Sequence, residues 1–170
     1  QDQPDSNLRR EFLLAKEIQS RGIPYAISVW DLPRWLYANP DAEGRDRYRV
    51  GAEQWPELLE CIGSYLEYAR RKYGVEPDLF SFNEADYGVR VLLSAEEHRD
   101  SIKRLGADFR KRGLKTRMLL GDTGGPRGSH VYALPAAADP EAMQYVGAVA
   151  FHSWGGASPA EYGAWADLAE

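Results

Sequence analysis

The chain has 170 residues, of which 44% are hydrophobic, and its formal net charge is −5. This length allows a core of single-domain size or a part of a larger domain. The net negative charge argues against a nucleic-acid partner, because the basic residues are scattered among acidic ones. No apolar run approaches the roughly 20 residues that span a membrane, so no membrane-spanning segment is expected.

The first half of the chain predicts a helix, a strand and a second helix. Apolar residues recur at helical spacing before Gly22, and glycine often follows a helix because it tolerates positive φ. Residues 23–30 predict a buried strand, and residues 54–73 predict a helix that ends at Gly74. Cys61 falls on the apolar side of this helix, so a buried thiol is expected, and a single cysteine allows no internal disulfide.

The second half continues the alternation of strands and helices. Ser94 and Glu97 form a capping box, the pattern that opens a helix, and Ser158 begins a helix of the same type. The predicted strands lie at 78–83, 116–122 and 146–154. A helix from Ser94 to Gly113 separates the first two strands. After the second strand, a glycine-rich loop leads to a short helix that begins at Asp139, and a last helix begins at Ser158.

This order of elements predicts an α/β fold with a parallel sheet, because hairpin signals are missing. Two architectures fit, a doubly wound open sheet and a (β/α)8 barrel. The open sheet predicts a glycine-rich dinucleotide or phosphate loop after a strand, and neither motif is complete. A full barrel takes roughly 250 residues, so the predicted strands correspond to about half of one. We therefore predict a partial (β/α)8, or TIM, barrel.

Polar or aromatic residues stand at the end of each predicted strand. The carboxyl ends of parallel barrel strands meet at one rim, where such enzymes carry their chemistry. We therefore expect the strand-end side chains to converge on that rim, with Glu84 at the barrel mouth. The strand-end residues are Trp30, Glu84, Asp122 and His152.

Segments at these strand ends resemble those of a known enzyme family. "SFNEAD" (81–86) resembles the fourth-strand motif of the retaining (β/α)8 glycoside hydrolases, where Asn-Glu supplies the acid/base carboxylate. "ISVWDLPRWL" (27–36) resembles the third-strand segment of the glucosylceramidase- and xylanase-like family 30 of that clan. "AFHSWGG" (150–156) resembles its sixth-strand segment, and "LLGDTGG" (119–125) fills the fifth-strand position. The chain thus looks like strands 3 to 6 of one catalytic domain that spans residues 1–170 and is truncated at both ends.

The resemblance implies roles for individual residues. Glu84 would be the general acid/base, and the nucleophile of the seventh strand would lie outside this chain. Trp154 stands where many relatives have Tyr, which is a departure from the pattern. The implied substrate-binding residues are Asn83, Trp30, Trp35, His152 and Trp154.

The chemistry of retention sets its own requirements. Two carboxyl groups about 5–5.5 Å apart are needed, one to attack the anomeric carbon and one to protonate the leaving oxygen. Asn83 would bond the sugar 2-OH, and the tryptophan faces would contact the pyranose ring. The three histidines occur singly, without the spacing of metal ligands, so neither a metal nor a cofactor is expected.

Two functions follow from these patterns. One is a retaining glycoside hydrolase that cleaves an oligo- or polysaccharide with β-linkages, in a parent protein that is secreted or periplasmic. The other is a non-catalytic carbohydrate-binding barrel, which binds sugar but lacks the second carboxylate of the catalytic pair. Under the first function, these 170 residues alone are expected to be inactive.

Overall fold

The computed structural model describes residues 3–169 as a parallel sheet with helices between its strands. Within this range no helix is both long and apolar enough to cross a bilayer. The strands are β1 (Ala26–Val29), β2 (Leu79–Phe82), β3 (Arg117–Thr123) and β4 (Val146–Phe151). The helices are α1 (Asn7–Ser20), α2 (Trp55–Tyr73), α3 (Ala95–Lys111), α4 (His130–Ala137), α5 (Pro140–Met143) and α6 (Pro159–Ala166), with short 3-10 helices at Arg34–Leu36, Asp46–Tyr48 and Ala52–Gln54.

The sheet order is the chain order, β1-β2-β3-β4, and every neighbouring pair is parallel. A helix crosses between each pair of strands, so all strands end at the same edge of the sheet. The inner strands β2 and β3 are mostly buried, whereas the outer strands β1 and β4 are mostly half-buried. The structure therefore confirms the predicted α/β alternation and its parallel sheet.

Helix ends follow the local signals in the sequence. The Ser94 hydroxyl accepts the Glu97 N–H at 3.2 Å, and Glu97 Oε2 accepts the Ser94 N–H at 2.6 Å, which confirms the capping box of α3. Ser158 and Glu161 form the same reciprocal pair at α6. α2 ends at Gly74, whose φ of 69° needs a residue without a Cβ.

Helix α4 was not predicted from the sequence. It follows the glycine-rich loop and contains Pro135, which removes a backbone donor and argues against a helix in an isolated sequence. Ala133 and Ala136 are fully buried in the main core, and α4 packs against α3. Packing against a neighbouring helix therefore outweighs the weak local preference.

The expectation for Cys61 is wrong, because its thiol is exposed. The buried stripe of α2 passes through Leu58, Ile62 and Leu66, at helical spacings of three and four residues. Cys61 lies beside this stripe, next in sequence to a buried residue but turned toward solvent. The spacing of apolar residues in the sequence did not show that Cys61 lies at the edge of the apolar face of α2 rather than at its centre.

A β-bulge interrupts β3 near its carboxyl end. Gly121 pairs with Ala150 and Thr123 pairs with Phe151, so Asp122 is an extra residue in the ladder with β4. Gly121 has a φ of 96°, and a Cβ there would lie 2.6 Å from the Ala150 carbonyl oxygen. Only glycine fits this position, because both the backbone angle and the available space exclude a side chain.

His98 on α3 anchors this bulge. Its Nε2 accepts the Gly121 N–H at 3.1 Å, and its ring stacks on Tyr132 with centroids 4.8 Å apart. Burial lowers the pKa of His98 to about 4, so the ring is neutral at pH 7 and Nε2 can act as an acceptor. The backbone donor that the bulge frees from the ladder is thereby satisfied inside the protein.

We predict that His98 makes folding depend on pH. Its pKa is about 4 in the folded protein and 6.5 in the unfolded chain, so the unfolded state binds the proton more readily. The free energy of unfolding should therefore fall as the pH is lowered from about 6.5 to about 4, by roughly 3 kcal/mol at 1.36 kcal/mol per pH unit. Urea unfolding of wild type and His98→Gln across this range measures the difference, because glutamine keeps an acceptor but does not titrate.

The matched control is His130→Gln, which should retain the full pH dependence of the wild type. Equal slopes for wild type and His98→Gln between pH 6.5 and 4 would contradict the prediction.

Candidate active site

Backbone hydrogen bonds continue beyond the strands and join their carboxyl ends. The Glu84 N–H donates to the Asp122 carbonyl at 2.9 Å, and the His152 N–H donates to the Thr123 carbonyl at 2.8 Å. The residues after β2, β3 and β4 are thus tied to one another at a single rim. This rim is where the sequence predicts the chemistry.

His152 bridges two carboxyl groups at this rim. Its Nδ1 lies 2.5 Å from Glu84 Oε1, and its Nε2 lies 3.2 Å from Asp122 Oδ1. The Glu84 and Asp122 side chains are only 15% and 9% exposed, so both contacts are shielded from water. The imidazole therefore separates the two carboxyls and is held at both of its nitrogens.

The second oxygen of Asp122 faces two serine hydroxyls. Asp122 Oδ2 lies 2.6 Å from Ser81 Oγ and 2.9 Å from Ser28 Oγ, and the two hydroxyls are 2.9 Å apart. Each hydroxyl has one proton, so only two of these three contacts are hydrogen bonds at any moment. Oδ2 of the buried carboxylate thus faces hydroxyl donors, whereas Oδ1 faces the imidazole.

Glu84 and Asp122 share an unusual backbone conformation. Within residues 3–169 they are the two non-glycine residues with positive φ, at 45° and 52°. This region costs a side-chain-bearing residue on the order of 1–2 kcal/mol, and such strain collects at functional sites. Both residues of this pair also carry the carboxyl groups that contact His152, so the strained backbone positions the site.

Asn83 is buried immediately before Glu84. It is 3% exposed, and its Nδ2 group makes no hydrogen bond within the part of the chain that the structure describes. A buried amide donor without a partner is costly, and a ligand oxygen would satisfy it. Asn83, the residue before Glu84, therefore has a buried donor without a partner among the described residues.

The three predicted tryptophans differ in whether they contact Glu84 or His152. Trp154 is 84% exposed, and its indole Nε1–H points to His152 Nδ1 at 3.3 Å. Trp30 follows β1 and Trp35 lies in a 3-10 helix, and both are more than half exposed. Within residues 3–169 neither makes a hydrogen bond or ring contact with Glu84 or His152. The structure thus joins Trp154 to the site and leaves the other two as exposed aromatic surfaces after β1.

Asp86, in the loop after β2, is half-buried. Its Oδ1 accepts the Gly124 N–H at 3.0 Å. Burial raises the pKa of Asp86, and the nearby Glu84 charge raises it further. Asp31, by contrast, is bound by Arg90 at 2.6 Å on the loop after β1.

A groove of about 290 Å³ opens next to Asp86. It separates the loop after β2 from the glycine-rich loops after β3 and β4. Arg127 fixes one wall, since its guanidinium donates to the carbonyl oxygens of Gly155 and Gly156 at 2.9 and 3.0 Å. An extended ligand at the rim could continue into this groove.

The cluster brings two carboxyl groups into contact with one imidazole. Glu84 and Asp122 each contact the imidazole of His152, which lies between the two carboxyl groups. Within residues 3–169 no group of His, Cys, Asp or Glu side chains is placed to hold a metal ion. The arrangement can hold and move a proton between Nδ1 of His152 and the Glu84 carboxyl group.

Sequence reasoning assigned no role to Ser81, and it named Ser28 only as part of a matched motif. Both are small polar residues at paired positions of two buried strands. Each side chain faces the carboxylate of Asp122. Paired serines on buried parallel strands are the one sequence signal that pointed to a buried carboxylate near them.

No protein-family model matches the chain, and no curated protein matches it in sequence. Solved structures match it in fold. A GH30 endoxylanase from Clostridium papyrosolvens C71 superimposes with a TM-score of 0.74 and 18% identity, over 97% of this chain and 42% of that one. SrfJ from Salmonella typhimurium matches with a TM-score of 0.74 and 21% identity, over 88% of this chain and 34% of that one.

The catalytic domain of GH30 xylanase C from Talaromyces cellulolyticus matches with a TM-score of 0.68 and 18% identity, over 85% of this chain and 36% of that one. The chain therefore spans 34–42% of the length of these structures. These matches confirm a partial TIM barrel with the fold of family 30 enzymes, as the sequence predicts. The roles of individual residues remain predictions.

We predict that strain at Glu84 costs stability. Glycine adopts the φ of 45° without penalty, whereas alanine does not. Both Glu84→Gly and Glu84→Ala remove the contact with His152, so their difference isolates the backbone term. Glu84→Gly should be more stable than Glu84→Ala by about 1 kcal/mol, measured by urea unfolding.

A helical position supplies the matched comparison. At Glu57, in the first turn of α2, glycine should instead be less stable than alanine by about 1 kcal/mol. The strain argument for Glu84 fails if glycine is the less stable substitution at both positions.

Proposed function

We propose that Glu84 is the general acid/base of a retaining glycoside hydrolase that cleaves O-glycosidic bonds of a β-linked glycan. The observation that carries this proposal is the contact of 2.5 Å between Glu84 Oε1 and His152 Nδ1, at the carboxyl rim of a partial TIM barrel. A carboxyl group in hydrogen-bond contact with an imidazole can gain and lose a proton during a reaction. The fold shared with family 30 enzymes supports this reaction class.

The proposed reaction has two steps that balance. A carboxylate nucleophile attacks the anomeric carbon while the glycosidic C–O bond breaks, and Glu84 gives its proton to the leaving oxygen. Glu84, now ionised, takes a proton from water, whose oxygen attacks the anomeric carbon and releases the nucleophile. The net reaction is hydrolysis, with retained configuration and Glu84 protonated again.

Neighbouring residues fit the binding of a sugar. The free Nδ2 donor of Asn83 would bond the 2-OH of the sugar ring beside Glu84. Trp154 presents an exposed apolar face next to His152, and Trp30 and Trp35 present further faces after β1. His152 would face the sugar from its contact with Glu84. An oligo- or polysaccharide is therefore the proposed substrate.

The nucleophile is proposed to come from outside these 170 residues. Asp122 is unsuited, because its carboxyl is buried, its Oδ1 lies against His152 at 3.2 Å and its Oδ2 is bound by serine hydroxyls. Asp86 already accepts a backbone N–H, and burial raises its pKa, which weakens it as an anion. In this proposal residues 1–170 are the central part of one catalytic domain, and they are inactive by themselves.

The test uses the full-length protein with two classes of substrate. For Glu84→Ala, kcat/KM should fall about 10²–10⁴-fold on glycans with poor leaving groups. It should change little on activated aryl glycosides, whose departure needs no protonation. Azide should then accelerate turnover of the aryl glycoside and yield a glycosyl azide, because azide attacks the intermediate without a general base. Steady-state kinetics and product analysis measure these effects.

Glu43→Ala, in an exposed loop, is the matched control and should behave as wild type. Equal losses on both substrate classes, without rescue by azide, would exclude the acid/base role of Glu84. Glycan binding by a full-length protein that cleaves neither substrate class would identify a non-catalytic carbohydrate-binding barrel instead.

A further inference from the structure

The hydrogen-bond roles of the His152 ring are set by its neighbours. The Trp154 indole N–H is only a donor, and it points to Nδ1 at 3.3 Å. The Asp122 carboxylate is only an acceptor, and its Oδ1 lies 3.2 Å from Nε2. Nδ1 therefore carries the lone pair and Nε2 carries the proton, which is one of the two neutral tautomers of histidine.

This tautomer determines which atom carries the proton between His152 and Glu84. Glu84 Oε1 lies 2.5 Å from Nδ1, a distance that requires one proton between the two atoms. Since Nδ1 accepts, the donor is the carboxyl O–H of Glu84. Glu84 is thus held as a carboxylic acid, the form that protonates a leaving group.

Asp122 has hydroxyl groups near the carboxyl oxygen that does not face His152. Its carboxyl is buried, and hydroxyl donors from Ser28 and Ser81 reach Oδ2 at 2.9 and 2.6 Å. Hydrogen bonds to the charged form favour that form. The bulge in β3 turns this carboxylate toward His152, and its φ of 52° is maintained by the surrounding structure. Oδ1 of Asp122 thus faces His152, and Oδ2 faces the two serines.

We infer that Asp122 is a positioning residue, which fixes His152 as the Nε2–H tautomer and thereby keeps the proton on Glu84. The inference rests on the proposed function for its catalytic meaning. Asp122 itself touches no substrate and acts only through the imidazole. The effect is analogous to the carboxylate of a Ser-His-Asp triad, which also acts by fixing a tautomer.

Three other titratable groups surround this chain of contacts. Asp86 faces Glu84 from the loop after β2, and its pKa is raised by burial. His98 supports the bulge from α3, and burial keeps it neutral at pH 7. Tyr132 on α4 is also buried, and burial raises its pKa. Within residues 3–169 none of these three groups makes a hydrogen bond or ion pair with His152, whose polar contacts are with Glu84, Asp122 and Trp154.

The first experiment reads the tautomer directly. Nitrogen-15 NMR of the full-length protein, labelled at histidine, distinguishes protonated from unprotonated ring nitrogens, and His152→Gln identifies the signal of this ring. At pH 7 the wild type should show a protonated Nε2 and an unprotonated Nδ1. Two protonated nitrogens, or a proton on Nδ1 alone, would overturn the inference.

Substitution of Asp122 should reverse the tautomer. In Asp122→Asn the amide oxygen should take the side with the serine hydroxyls, which turns its NH₂ toward His152 Nε2. Nε2 must then accept, so the proton moves to Nδ1 and faces Glu84 as a donor. Asp108→Asn, which changes a carboxylate bonded to Arg112 at 2.7 Å on α3, is the control and should leave the wild-type tautomer. An unchanged tautomer in Asp122→Asn would contradict the inference.

Kinetics then separate positioning from folding. Asp122→Asn should lower kcat/KM about 10²-fold on poor leaving groups and much less on activated aryl glycosides, with Tm within a few degrees of wild type. Ser81→Ala, which removes one donor but keeps the carboxylate, should lower it less. Equal losses on both substrates would indicate a structural role only. If the wild type hydrolyses nothing, the proposed function fails, whereas the tautomer measurement still tests the inference.

Discussion

The site depends on one extra residue in a strand. Side chains alternate faces along a strand, so an insertion in β3 changes the direction of every residue that follows. The bulge places Asp122 between two paired residues, with its carboxylate toward His152. It persists because Gly121 fits where no Cβ could, and because His98 accepts the backbone N–H that the ladder does not use. A neutral buried histidine on α3 therefore supports the geometry at the rim.

Backbone strain and a buried carboxylate both destabilise the folded chain at this rim. Two non-glycine residues with positive φ each cost on the order of 1–2 kcal/mol, and a buried carboxylate must be compensated by donors. The compensation comes from the serine hydroxyls of β1 and β2, from His152 and from the backbone bond between Glu84 and Asp122. These partners belong to successive strands, so the site forms only when the whole parallel sheet is assembled. Two strained residues, one after β2 and one in β3, that are held by partners from neighbouring strands are more typical of a functional site than of a loop terminus.

The sequence predicted the features that depend on local pattern. Alternating apolar segments gave the parallel sheet, the capping residues gave the ends of α3 and α6, and strand-end positions gave Glu84 and His152 at one rim. It did not predict features that depend on distant contacts. α4 forms despite Pro135 because it packs on α3, and Cys61 is exposed because of its angle around the helix axis. The bond of Asp122 to His152 requires a bulge, and no local pattern in "LLGDTGG" distinguishes a bulge from a regular strand end.

The contacts around His152 also bear on how a two-carboxylate site keeps one carboxyl protonated and the other ionised. In a two-carboxylate hydrolase one group must be protonated while the other is ionised, and the two commonly keep each other in those states by mutual repulsion. In the inferred arrangement Glu84 has His152 as an additional partner, whose Nδ1 accepts its hydrogen bond while Asp122 lies against Nε2. Under the proposed function, the acid group of the site would thus keep its proton through contacts made within the sheet. A nucleophile on another strand could then be placed for attack alone, because it would not also have to hold the proton on Glu84.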